Sequence, residues 1–150
     1  MLPMSSEAPE KNPSQPIPSD YMAAAMITNG ISWVWIQVLK SGTVLNQIPI
    51  RFLTDATFIV YVLSGVIGAF LVGTKTDSKH LAVGLKATGY SIAVNILIML
   101  TDPMPLNLNL LWSMTLSFAA GSVFGSYTAL NHSLAAKRKA RKAILKEADE

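Results

Sequence analysis

LNLLWSMTLSFAAGSVFGSYTAL, residues 108–130, holds no charged side chain along its whole length. Small residues recur through it at every fourth place: Ser113, Ser117, Gly121, Gly125 and Ala129, continued by Ser133. On a helix that spacing stacks them along one face as a groove with almost no side-chain bulk. A second ladder, Gly65, Ala69 and Gly73, lies in an earlier apolar stretch. In water such grooves would bury little apolar area. In a bilayer, lipid already solvates Leu and Val, so helices associate by close backbone approach and dispersion contact. The two ladders predict a packed bundle of membrane helices.

Composition agrees. Only 14 % of the 150 residues are charged and 51 % are hydrophobic, whereas a soluble domain carries about a quarter charged residues. The deficit falls in four stretches: 21–39, 52–73, 81–101 and 108–130. Each has about the length that crosses a ~30 Å hydrocarbon core. The first is the most polar, with Asn29, Gly30 and Gln37, yet it lacks the broad basic face of an interfacial helix. Residues 1–20 hold five of the eight prolines and no basic leader. They read as a disordered Pro-rich tail. Residues 131–150 read as a helix continuing the fourth span, rich in Ala, Lys, Arg and Leu.

The connections between spans are short, and Pro103 with Pro105 stops the third helix. Short connections make consecutive helices antiparallel neighbours. The expected fold is therefore an all-α integral membrane protein: an up-down bundle of four transmembrane helices with a disordered N-terminal tail and a basic cytoplasmic C-terminal helix. Orientation follows Lys and Arg. With both termini on one side, that side takes ten of the twelve basic residues, and the other takes only Lys40 and Arg51. Both termini are then cytoplasmic, in a cell membrane of the prokaryotic cytoplasmic type. Trp33, Trp35 and Trp112 fall toward the outer ends of their spans, where indole favours the interface.

Polar residues within spans are functional candidates by default. Asp55 and Lys86 are the charged ones, near opposite membrane faces and too far apart in depth to pair. Asp55 also reads locally as an anion at a helix N-terminus one turn after Arg51. Lys86 reads as a snorkelling side chain. Counting rise from the cytoplasmic ends sets Asn29 level with Tyr90, and Gln37 level with Asn95. Hydrogen bonds between spans one and three would satisfy them. The functional alternative makes Asn29, Asp55 and Asn95 a polar path for a small solute.

Catalytic and metal signatures do not assemble. The chain has no cysteine, so disulfide and thiol chemistry are excluded. His80 and His132 lie outside the spans and fall short of a ligand set. No nucleophile elbow, phosphate-binding loop or metalloprotease motif is present. No cofactor is expected. The tail block Lys137, Arg138, Lys139, Arg141 and Lys142 suits anionic headgroups at about 1 kcal/mol per residue. It has no interleaved aromatics for nucleic acid.

The function expected from these features is a small non-catalytic subunit or accessory protein, using Gly65, Ala69, Gly73, Ser113, Ser117, Gly121, Gly125 and Ala129 for helix packing. Two ladders exceed what one bundle obviously requires. One is therefore expected to close the bundle, leaving the other for lipid or another integral membrane subunit, a second copy of the chain included. The rival expectation is a small oligomeric channel or transporter.

Overall fold

The computed structural model describes residues 15–41, 47–101 and 108–148. Four helices account for nearly all of them: α1 (Pro18–Lys40), α2 (Ile50–Gly73), α3 (His80–Thr101) and α4 (Leu108–Ala148). No strand occurs among the described residues. All four helices are long and apolar enough to cross a membrane. Most of the Pro-rich tail, residues 1–14, lies outside the described residues, as does the acidic end at Asp149 and Glu150.

Local chemistry sets the helix ends. α1 starts at Pro18, three residues inside the segment read as tail. Proline suits the first helical position because its missing N–H would be unpaired there anyway. The carboxylate of Asp20 accepts a hydrogen bond from the Ile17 N–H at 3.1 Å, which fixes the entry of the chain. At the far end the Ser41 hydroxyl donates to the Val38 carbonyl at 2.7 Å. Pro49 precedes α2 with φ −58°. α2 closes as Thr74 N–H donates to Phe70 O at 2.9 Å. The turn to α3 is tight enough to hold Lys79 at φ 56°, a conformation that non-glycine residues seldom adopt. α4 continues past the apolar stretch without interruption, so the basic segment and the fourth span are one helix.

Contacts order the helices as a ring in which α1 meets α2, α2 meets α4, α4 meets α3, and α3 meets α1. α2 and α3 also touch across the ring, whereas the backbones of α1 and α4 bring no Cα atoms within 8 Å of each other among the described residues. α2 and α4 form the most extensive interface, although they are not consecutive in sequence.

The distribution of side chains is inverted relative to a water-soluble domain. Buried positions are dominated by Ser, Thr, Asn, Gly and Ala, together with a few larger residues such as Phe118, Tyr61 and Val72. Outward positions carry Leu, Ile, Phe and Trp in number, among them Leu63, Leu97, Leu116 and Phe124. In water so continuous an apolar perimeter would drive association. Surrounded by lipid, it carries no such penalty. A hydroxyl inside needs a partner, and most find one on the helix that carries them. Ser64, Ser91, Ser122 and Ser126 donate to carbonyls three or four residues earlier, at 2.7–3.1 Å.

Candidate functional site

The two ladders meet each other. A methyl group built on Gly121 would overlap the Val62 carbonyl and lie 3.1 Å from the Gly65 carbonyl carbon. On Gly125 it would overlap the Val66 carbonyl and stand 3.0 Å from the Ala69 Cβ. On Gly73 it would lie 2.8 Å from the Ala129 Cβ. Gly65 faces the Phe118 backbone in the same way, at 2.8 Å from its carbonyl oxygen. Three rungs therefore align in register: Gly65 with Gly121, Ala69 with Gly125, and Gly73 with Ala129. Most obstructing atoms are backbone, so glycine is required for space rather than for its φ freedom. Ser117 is buried on the same helix, while Ser113 is exposed toward its beginning. The expectation of a spare groove is corrected here. Both ladders are consumed by one interface within the chain, because α2 and α4 bring their small faces together.

Two further glycines serve the flanking contacts. Gly68 faces Thr28 and Ala24 of α1, and Gly84 faces Ser126 and Ser122 of α4. Neither belongs to a ladder, so spacing alone gave no signal for them.

Asn29 is the hub of the α1–α3 contact. Its Nδ2 donates to Ala25 O and to Ser91 O, both at 2.9 Å, and its Oδ1 accepts from Asn95 Nδ2 at 3.0 Å. A bond between spans one and three is present, but with different partners from those expected. Tyr90 instead stacks on Tyr21, with ring centroids 5.3 Å apart, and Gln37 is exposed. The reason is where the helices begin. Counted from Pro18 and His80, Asn29 and Ser91 are equally far along their helices. Asn95 follows one turn later and leans back, since side chains tilt toward the helix N-terminus. The second acceptor of this pair, Asn95 Oδ1, is buried and has no partner among the described residues.

Hydroxyls complete the interior. Thr28 donates to the Ser64 carbonyl at 3.3 Å, Ser32 and Ser64 lie 3.4 Å apart, and Thr88 bonds Ser122 between α3 and α4. Trp35 Nε1 donates to Thr57 Oγ1 at 2.9 Å, tying α1 to α2.

The charged candidates lie at opposite ends. Lys86 Nζ stands 4.8 Å from the centre of the Tyr21 ring, a cation–π contact that holds a side chain expected simply to snorkel. Beside it Lys75 pairs with Asp20 at 2.5 Å. His80, expected in a loop, is instead the first residue of α3 and is buried, with Nδ1 3.0 Å from the Gly73 carbonyl oxygen. Asp55 is exposed at the other end. α2 begins at Ile50, two residues earlier than expected, so Asp55 sits in the second turn, past the strongest field of the helix dipole. It borders a cavity of 710 Å³ where α1, α2 and α4 diverge, walled by residues such as Leu39, Phe58 and Leu110. Asn29 and Asn95 do not line this cavity. Among the described residues no group of three or more His, Cys, Asp or Glu could hold a metal ion. Lys137, Arg138, Lys139, Arg141 and Lys142 are all exposed on the extension of α4.

No family model, curated protein or solved structure matches this chain.

Proposed function

We propose that the chain is a small non-catalytic integral membrane protein acting as a structural or accessory subunit. It would span the membrane four times as an up-down bundle with both termini in the cytoplasm. The observation that carries this reading is the use of the interior. The amides of Asn29 and Asn95 and the hydroxyls of Thr28, Ser64, Thr88 and Ser122 bond one another or nearby backbone. They work as fasteners between helices, which leaves the outer surface to act on other molecules. That surface is an apolar perimeter suited to lipid and neighbouring spans, joined to a basic helical extension suited to anionic headgroups. The alternative, a channel or transporter, has less support, because Asn29 and Asn95 are packed together away from the Asp55 cavity.

Two measurements test the proposal. Purification in mild detergent should recover the chain with a stable set of companion membrane proteins; a homo-oligomer alone would favour the transporter reading. Orientation is accessible because the chain has no cysteine of its own. In intact cells an impermeant maleimide should label Ser41→Cys and spare Ala140→Cys until the membrane is opened. The reverse pattern would invert the topology.

A further inference from the structure

We propose that the cavity at the α1–α2–α4 end is a binding site for an amphiphilic ammonium ion, an apolar chain or ring bearing a protonated amine. It is an open groove rather than an enclosed chamber, and its volume of 710 Å³ is that of a site for a small organic molecule. Leu39, Phe58, Ile59 and Leu110 supply apolar walls, which fit a hydrocarbon body. Asp55 borders the same space and has neither hydrogen bond nor ion pair among the described residues. A carboxylate on a membrane helix is costly without a counter-charge, and such groups pair or face a polar pathway. Lys40 and Arg51 are the basic residues at this end, and neither makes an ion pair with Asp55 among the described residues; segments 42–46 and 102–107 contain neither Lys nor Arg.

A second, independent observation points to a ligand. Tyr61 also borders the cavity and is 98 % buried, with a relative exposure of 2 %. Its hydroxyl has no hydrogen bond among the described residues. The ring is packed in, but the hydroxyl is not itself enclosed, so it opens on the cavity with its hydrogen-bonding capacity unused. An ammonium group placed at Asp55 would donate to the carboxylate and leave further donors for Tyr61, and the Tyr61 and Phe58 rings suit a cation. An anionic amphiphile would be repelled, and a neutral one would leave the carboxylate unpaired. The site goes beyond the accessory-subunit reading and does not depend on it.

Trp35 is a built-in reporter, since its indole N–H bonds Thr57, which also lines the cavity. The protein in phosphatidylcholine nanodiscs is titrated with octylammonium, octanol and octyl sulfate while the Trp35 indole ¹⁵N–¹H resonance is followed. Octylammonium should shift it saturably and bind about tenfold or more tighter than octanol, as expected of a charge-assisted hydrogen bond. Asp55→Asn should abolish that advantage while keeping the unliganded Trp35 resonance in place, which shows that the variant is folded. Tyr61→Phe should weaken binding a few-fold. Native mass spectrometry from nanodiscs of equimolar phosphatidylethanolamine and phosphatidylglycerol then identifies the source. Asp55-dependent retention of phosphatidylethanolamine assigns the ammonium to a lipid headgroup; saturable octylammonium binding without it assigns a free amphiphilic amine. Equal response to octyl sulfate, or a response unchanged by Asp55→Asn, overturns the proposal.

Discussion

Gly121→Leu should produce the largest loss of stability of any single substitution along the two ladders. The added side chain would have to enter a space already filled by the Val62 carbonyl, the Val66 amide and the Gly65 carbonyl carbon. Backbone cannot rotate aside as a side chain can, so the helices must separate. Overpacking costs about 1–3 kcal/mol in ordinary cores, and a branched side chain against backbone belongs at or above the top of that range. Unfolding by steric trapping or by titration with a denaturing detergent should show the loss, independent of protein concentration. Gly125→Leu should follow closely, since the Val66 carbonyl and the Phe70 amide crowd it in the same manner.

The controls are two glycines on other helices. A methyl group on Gly30 or Gly89 would meet nothing within 4 Å. Gly30→Ala and Gly89→Ala should be neutral or stabilising by up to about 1 kcal/mol, because alanine is the better helix former. If Gly121→Leu unfolds at the same point as Gly30→Ala, the packing of α2 on α4 is wrong. If it leaves the monomer intact but strips companion proteins, the ladder serves a partner rather than the chain itself.

How far residues alone reveal such a structure depends on what each signal encodes. The ladders were readable because close backbone approach restricts residue type directly: only glycine fits at Gly65, Gly121 and Gly125, where a methyl group would already overlap backbone. Their mutual engagement was not readable, since spacing defines a face of a helix and says nothing about which helix it turns toward. Span lengths were legible to within a few residues, yet those few mattered. Starting α1 at Tyr21 instead of Pro18 and α3 at Leu81 instead of His80 shifted their relative depth by two residues, about 3 Å, and set Asn29 level with Tyr90 rather than Ser91. The hydroxyl seam of Thr28, Ser32, Ser64, Thr88 and Ser122 leaves no mark in the sequence for another reason. Ser and Thr can satisfy themselves on their own helix, so burial imposes no periodic pattern on them. The cavity at Asp55 lies beyond any sequence signal, because it arises where α1 and α4 fail to meet.

Asn29 and Asn95 should be unequal in a way that only the hydrogen-bond geometry predicts. Both are buried amides on facing helices, and composition treats them alike. Asn29→Leu removes a hub: Asn95 Nδ2 loses its acceptor and the Ser91 carbonyl loses a cross-helix donor. Leaving buried partners unpaired costs about 1–3 kcal/mol. Asn95→Leu gives up one bond at 3.0 Å and leaves Asn29 Oδ1 without its donor, but it also removes an Oδ1 that had no partner, so part of the loss is offset. Asn95→Leu should therefore be the milder substitution by the same unfolding measurement. In the double variant the second change should cost less than it does alone, with a coupling of about 0.6–2 kcal/mol, the range found for hydrogen bonds between membrane helices. Additive losses would mean that the two amides do not share a bond. Equal single losses would mean that Asn95 Oδ1 holds a partner of its own, such as a buried water.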